Sequence, residues 1–127
     1  MIRVGLVALG GAIGSVARYG VGALAASIFG PAFPFGTLLV NISGSFLIAL
    51  VMHIALTGSA ISVELRIFLT TGIMGGYTTY SSFNYETLAL LNQRAYGLAG
   101  LNLFATVVGC MLAGILGLAA GRALAGG

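Results

Sequence analysis

Three groups of polar side chains interrupt an otherwise apolar chain. Thr37, Asn41 and Ser45 recur every four residues, as do Asn102, Thr106 and Cys110, so each set stacks along one helix face. The third group is compact: Gly75-Gly76-Tyr77-Thr78-Thr79-Tyr80-Ser81-Ser82-Phe83, followed by Glu86. Glu86 apart, these polar groups are hydroxyls, amides and a thiol. Such a lining suits an anion or a small neutral solute, because amide and hydroxyl hydrogens can replace water around it. Tyr80 and Phe83 lie three apart, on one side of a helix, and the positive edge of an aromatic ring can stabilise a small anion without a formal charge. Any one of these residues, taken alone, reads as hydrogen-bonding glue between helices, worth about 1 kcal/mol. Two stripes and a cluster together read as a path.

The elements that carry them must lie in a membrane. Of 127 residues, 59% are hydrophobic and 6% charged, with a mean hydropathy of +1.12. Seven charges cannot keep such a chain in solution. A span needs about 20 predominantly apolar residues, so the charges partition the sequence. Four spans result, at about 4–27, 35–57, 65–92 and 96–122, in a single all-α domain covering 1–127. The turns are "FGPAFP" (29–34), where proline ends a helix, "TGSAIS" (57–62), and the residues around Asn92-Gln93-Arg94.

Other signals are weaker. A cleaved leader ending at Ala23-Leu24-Ala25 would place Arg18 between its apolar core and the cleavage site, where leaders are normally uncharged. Asn41-Ile42-Ser43 matches a glycosylation sequon inside an apolar span and is a chance match. "GGAIG" (10–14) lacks the preceding strand of a nucleotide-binding turn. The single cysteine excludes an intramolecular disulfide. His53 reads as a helix-packing histidine. Arg18 reads as an anion lure or an interfacial snorkeller, and Arg94 and Arg122 as interface anchors. For Glu86, proton coupling competes with a structural partner.

Orientation rests on five arginines. With the N-terminus inside, Arg3, Arg66 and Arg122 are cytoplasmic and Arg18 and Arg94 lie toward the other side, almost no bias. Such a chain can insert both ways and pair as an antiparallel dimer; equally, one arginine can suffice to orient it. Gly10 with Gly14, and Gly117 with Gly121, have the small-xxx-small spacing of close helix contacts.

Gly75 to Ser82 is a run of low helix propensity at mid-span, which predicts a discontinuity with freed amide and carbonyl groups. Transporter folds use such breaks to hold ions. "GGAIGSVARY" (10–19), "FGTLLVNISG" (35–44) and "TTGIMGGYTTYSSFNYE" (70–86) resemble, in order and spacing, the small fluoride channels called Fluc or CrcB.

The resemblance implies an antiparallel homodimer of four-helix subunits in a bacterial plasma (inner) membrane, with two fluoride pathways near the subunit interface. It implies a central sodium ion held by backbone carbonyls of Gly75 and Thr78 from each copy. Phe83 and Tyr80 match the ring positions that line the pores, and Asn41 the pore asparagine. Asn102, Thr106 and Cys110 match the polar track of the fourth span, with Thr79 and Ser82 as further hydroxyls. Arg18 matches the vestibule arginine and Glu86 the acidic residue after the rings. Tyr80 stands where the family commonly has phenylalanine, and the fourth-span track is less serine-rich than is usual. No organic cofactor, nucleic acid or catalytic residue is implied: such a protein is a passive channel releasing fluoride and conferring resistance to it, not an enzyme. Two alternatives are a small multidrug-type exporter, which would need a glutamate midway along span 1 where this chain has none, and a non-transporting membrane subunit.

Overall fold

The computed structural model describes residues 1–58 and 60–125. Ser59, within the second expected turn, lies outside them. The described residues are helical with no strands: α1 (Ile2–Phe29), α2 (Phe35–Thr57), then a third span in four pieces, and finally α6 (Tyr96–Ala125). The third span comprises α3 (Val63–Ile67), a π-helical segment (Phe68–Met74), α4 (Gly75–Tyr77) and, after a two-residue gap, α5 (Tyr80–Asn92). α1, α2 and α6 are each long and apolar enough to cross a membrane. Their outward faces carry large apolar side chains such as Leu24, Ile28, Phe104, Met111 and Ile115, as expected of helices solvated by lipid. This is an all-α, multi-pass membrane protein.

Local chemistry sets the turns. Gly30 (φ 77°) ends α1 in a conformation that costs glycine little, and Pro34 precedes α2. Phe35 then stacks on Phe29 and Phe33, with ring centroids 4.7 and 5.0 Å away, fixing the angle between the two helices. Ser62 caps α3 by accepting the Leu65 amide at 3.1 Å. After α5 the Ala95 amide reaches back to Leu90 O (2.8 Å) in a Schellman-type end, with Arg94 rather than glycine in the left-handed region (φ 59°).

Both glycine pairs are at helix contacts. A Cβ at Gly10 would lie 2.7 Å from Phe68 O, and one at Gly14 would collide with Ile73 O, so α1 lies directly on the backbone of the π-helical segment. Gly117 meets the backbone of Phe46, and Gly121 meets the His53 side chain, so α6 lies directly on α2. The α2–α6 contact is the most extensive in the chain and α1 against the π-helical segment the next. These two seams, held by dispersion and small residues rather than a hydrophobic driving force, frame the broken span.

The break is narrower than the propensity argument predicts. Gly75 and Gly76 remain helical, and only Thr78 (φ −87°, ψ 158°) and Thr79 (φ −153°, ψ 123°) are extended. Distortion also begins earlier than composition suggests, in the π-helical turns ahead of the glycines. There the Gly75 amide bonds both Gly72 O and Thr70 O, marking the return from wide turns to narrow ones.

Candidate functional site

The gap at Thr78–Thr79 is held open by side chains that take the place of the helical ladder. In an unbroken helix the Thr79 amide would bond Gly75 O; instead it donates to Asn41 Oδ1 at 2.8 Å, while Asn41 Nδ2 donates to Thr79 O at 2.9 Å. The Ser82 amide, which would bond Thr78 O, donates to Thr79 Oγ1 at 3.2 Å, so Thr79 is the N-cap of α5. The carbonyls of Gly75 and Thr78 thus lose their helical donors to side chains. Gly76 O also lacks a helical donor and receives Arg18 Nε at 2.9 Å from α1.

A further tie comes from Ser43, whose hydroxyl lies 2.7 Å from Leu39 O and 2.9 Å from the Tyr77 hydroxyl. Ser43 has one proton and gives it to the backbone, so Tyr77 donates to Ser43. Both polar residues of the chance sequon therefore serve the break from α2.

Beside the break lies a groove of about 370 Å³ lined by Asn41, Gly44, Ser45, Ile48, Met74, Thr78, Thr79, Tyr80, Phe83, Thr106, Val107 and Cys110. It contains no charged side chain among the described residues. Phe83 is 6% exposed and Tyr80 79% exposed; their rings meet edge to face, centroids 5.7 Å apart at 71°. Thr106 Oγ1 is buried and has no hydrogen-bond partner among the described residues. The groove therefore combines ring surfaces, a spare hydroxyl, a thiol and the Asn41 carboxamide, whose second N–H is not used by Thr79.

On the other side of the break is a cavity of about 530 Å³, lined by Ser15, Arg18, Tyr19, Thr37, Thr79 and Ser82 among others. Thr79 lines both spaces. Glu86 lies elsewhere, with Thr37 and Gln93 in a third cavity of about 290 Å³ beneath the Gly30–Gly36 turn; its Oε1 is buried without a hydrogen-bond partner among the described residues.

The structure thus gathers Asn41, Tyr80, Phe83, Thr79, Thr106 and Cys110 around one groove, and Arg18 and Ser82 around the adjoining cavity. Asn102 is not at the groove. It is 2% exposed and donates to Thr87 Oγ1 at 2.9 Å, and Thr87 in turn donates to Phe83 O at 2.8 Å. That relay anchors the turn carrying Phe83 to α6. Sequence reasoning passed over Thr87 and Met74, and it named Ser43 and Tyr77 without giving either a part in holding the break. The spacing of four between Phe83 and Thr87, which puts them on one helix face, was the available signal for the first.

A cation beside the break would find oxygen rather than side-chain ligands. Among the described residues no three His, Cys, Asp or Glu side chains come together, whereas the freed carbonyls are hard donors of the kind alkali ions accept.

Comparison with known proteins gives a match over most of the chain. Residues 5–118 match the family described as CrcB-like protein, Camphor Resistance (CrcB). The chain is 56% identical over 126 residues to the fluoride-specific ion channel FluC of Anaeromyxobacter sp. (strain K), covering 99% of this chain and 100% of that one. A protein of the same name from Thermus thermophilus is 49% identical over 126 residues, again 99% and 100% of the two chains. That of Agrobacterium fabrum is 48% identical over 124 residues, 98% and 99%.

Proposed function

The chain belongs to the CrcB family, and from that membership we propose that it is a fluoride channel, passing the ion out of the cytoplasm and so protecting the cell from it. It is a channel and not an enzyme. The observation that carries this reading is identity above half, end to end, with a relative named as a fluoride-specific ion channel.

The groove supplies the chemistry. Fluoride is small and strongly hydrated, so a path for it must replace many water hydrogens within a narrow bore. The free Asn41 N–H, the Thr106 and Thr79 hydroxyls, the Cys110 thiol and the edges of Phe83 and Tyr80 form a neutral, donor-rich lining. A fixed cation there would bind the anion too tightly to release it, and a fixed anion would repel it. No coupling or ATP is required: an interior-negative potential drives the anion outward by about 2.3 kcal/mol per 100 mV.

The working unit is an antiparallel homodimer in the plasma (inner) membrane of a bacterium. Thr71, Gly75, Ser81 and Asn84 are exposed on the single chain in or beside the broken span, where lipid would leave their polar groups unsatisfied. A second copy covering that face removes the penalty, and the near-even arginine balance permits the opposite insertion it requires. A sodium ion on the dimer axis would be held by the carbonyls of Gly75 and Thr78 of each copy, supplying positive charge at the seam between the subunits.

The test is purified protein in liposomes loaded with potassium fluoride, read with a fluoride electrode after addition of an ionophore. Rapid fluoride efflux with chloride retained is expected; no fluoride efflux, or equal chloride efflux, overturns the reading. Cross-linking in the same liposomes tests the dimer. Replacing sodium by a large organic cation tests the central ion, with weaker subunit association the expected result.

A further inference from the structure

Arg18 stands in the right place to attract an anion, but its hydrogen bond assigns it different work. Resting on the reading of the chain as a fluoride channel, we propose that Arg18 is a positioning residue for the break, required for its Nε–H more than for its charge.

The break leaves Gly76 O without the Tyr80 amide that an unbroken helix would provide. Arg18 Nε replaces it at 2.9 Å, bridging two spans 58 positions apart in sequence. Gly76 is also pinned from behind: a Cβ there would lie 2.5 Å from Gly11 O, so α1 backs the same peptide that its arginine holds. Gly75 and Thr78, whose carbonyls lack helical donors, lie within two residues of that carbonyl, so the orientation of peptide 76–77 constrains theirs.

The commitment of Nε also limits Arg18 as a lure. A side-on fork to an anion uses Nε together with a terminal nitrogen, and here Nε is taken. Only the two terminal nitrogens, which make no hydrogen bond among the described residues, remain to face the cavity shared with Ser15, Tyr19, Thr37, Thr79 and Ser82.

The two roles separate by substitution. In glutamine the side-chain amide nitrogen is as many bonds from Cα as Nε is in arginine, so Arg18→Gln keeps a donor for Gly76 O and deletes the charge. Arg18→Met deletes both. Fluoride efflux from liposomes is measured against fluoride concentration for wild type and both variants. Arg18→Met is expected to lose about tenfold in maximal flux, the scale set by leaving a half-buried carbonyl unpaired. Arg18→Gln is expected to retain most of the maximal flux. A deficit in Arg18→Met that disappears at saturating fluoride is the signature of a lure and overturns the proposal, as does Arg18→Gln falling as far as Arg18→Met.

A second measurement needs no variant. Wild-type protein in bilayers, labelled with ¹⁵N-arginine and ¹³C-glycine, is expected to show a through-space solid-state NMR correlation between Arg18 Nε and the Gly76 carbonyl; its absence overturns the proposal even if the variants fail to fold. A wild type that conducts no fluoride sinks the channel reading and this inference with it, whereas a conducting wild type with the wrong variant pattern sinks the inference alone.

Discussion

The third span and α6 both carry polar residues through the middle of the membrane, yet one breaks and the other does not. In α6 the helical ladder continues past Asn102, Thr106 and Cys110; Asn102 finds Thr87, and Thr106 Oγ1 is left without a partner among the described residues. In the third span the amides of Thr79 and Ser82 bond to side-chain oxygens, Asn41 Oδ1 and Thr79 Oγ1, instead of to carbonyls. Polar side chains alone do not open a helix in lipid. What opens it is competition for backbone amides by acceptors placed within reach, which frees carbonyls that a merely polar helix keeps bound.

Removing the competitor should therefore hurt more than removing any lining group. Asn41→Ala leaves the Thr79 amide unpaired, at about 1–3 kcal/mol, and takes the side-chain donor from the Thr79 carbonyl, which as the α5 N-cap keeps only its first helical bond. Fluoride flux should vanish and unfolding in detergent should shift to markedly milder conditions; a stable, conducting variant would mean that the gap holds itself open. Phe83→Ile comes next. It should abolish flux while the protein still runs as a dimer on size exclusion, because a branched apolar side chain can fill much of the buried volume but has no ring edge. An unchanged rate would remove the ring from the pathway.

Smaller effects sharpen the contrast from the α6 side. Asn102→Leu breaks the relay to Phe83 O and should lower flux through misplacement of the ring, with a stability loss of about 1 kcal/mol. Thr106→Val should reduce flux without a stability loss, since the hydroxyl it removes has no partner to lose. The smallest effect is at the rim. Glu64, outside the apolar part of the third span, is held below its ordinary carboxylate range first by hydrogen bonding to backbone and then by Arg3, whose Nη2 lies 3.3 Å away. A depressed pKa stabilises the fold above the unfolded value and loses that contribution as pH falls through the folded value. Glu64→Gln should leave flux unchanged, and its slight stability deficit at neutral pH should disappear in acid. The pair is well exposed, so salt should shrink that deficit further.

Much of this was legible in the chain. Spacing by charges placed four spans, with α2 starting at Phe35 and ending at Thr57 as expected and α1 and α6 extending two or three residues beyond their expected limits. The glycine pairs, weak as a signal, turned out to be helix contacts. The break was expected because low-propensity residues cluster, but its width was not, because propensity does not say which amides will be captured or which freed carbonyls will find a new donor. That depends on Asn41 and Arg18, residues of other spans, and no local pattern records a bond across 38 or 58 positions. Asn102 lies away from the groove for a related reason. A stripe on a helix gives a face but not which neighbour the face meets, and the fourth-residue stack on α6 runs partly against α5 and partly along the groove.

The paired bonds between Asn41 and Thr79 also bear on how this sequence can drift. The clamp reads only main-chain atoms at position 79, leaving the side chain there answerable to its capping bond with Ser82, a duty that serine, aspartate or asparagine can discharge. Position 41 has no such latitude. It needs a donor and an acceptor on one short planar group, and aspartate, the nearest isostere, supplies two acceptors and no donor. Substitutions accumulating in this channel should therefore spare a residue on an intact helix more strictly than those of the irregular segment it supports.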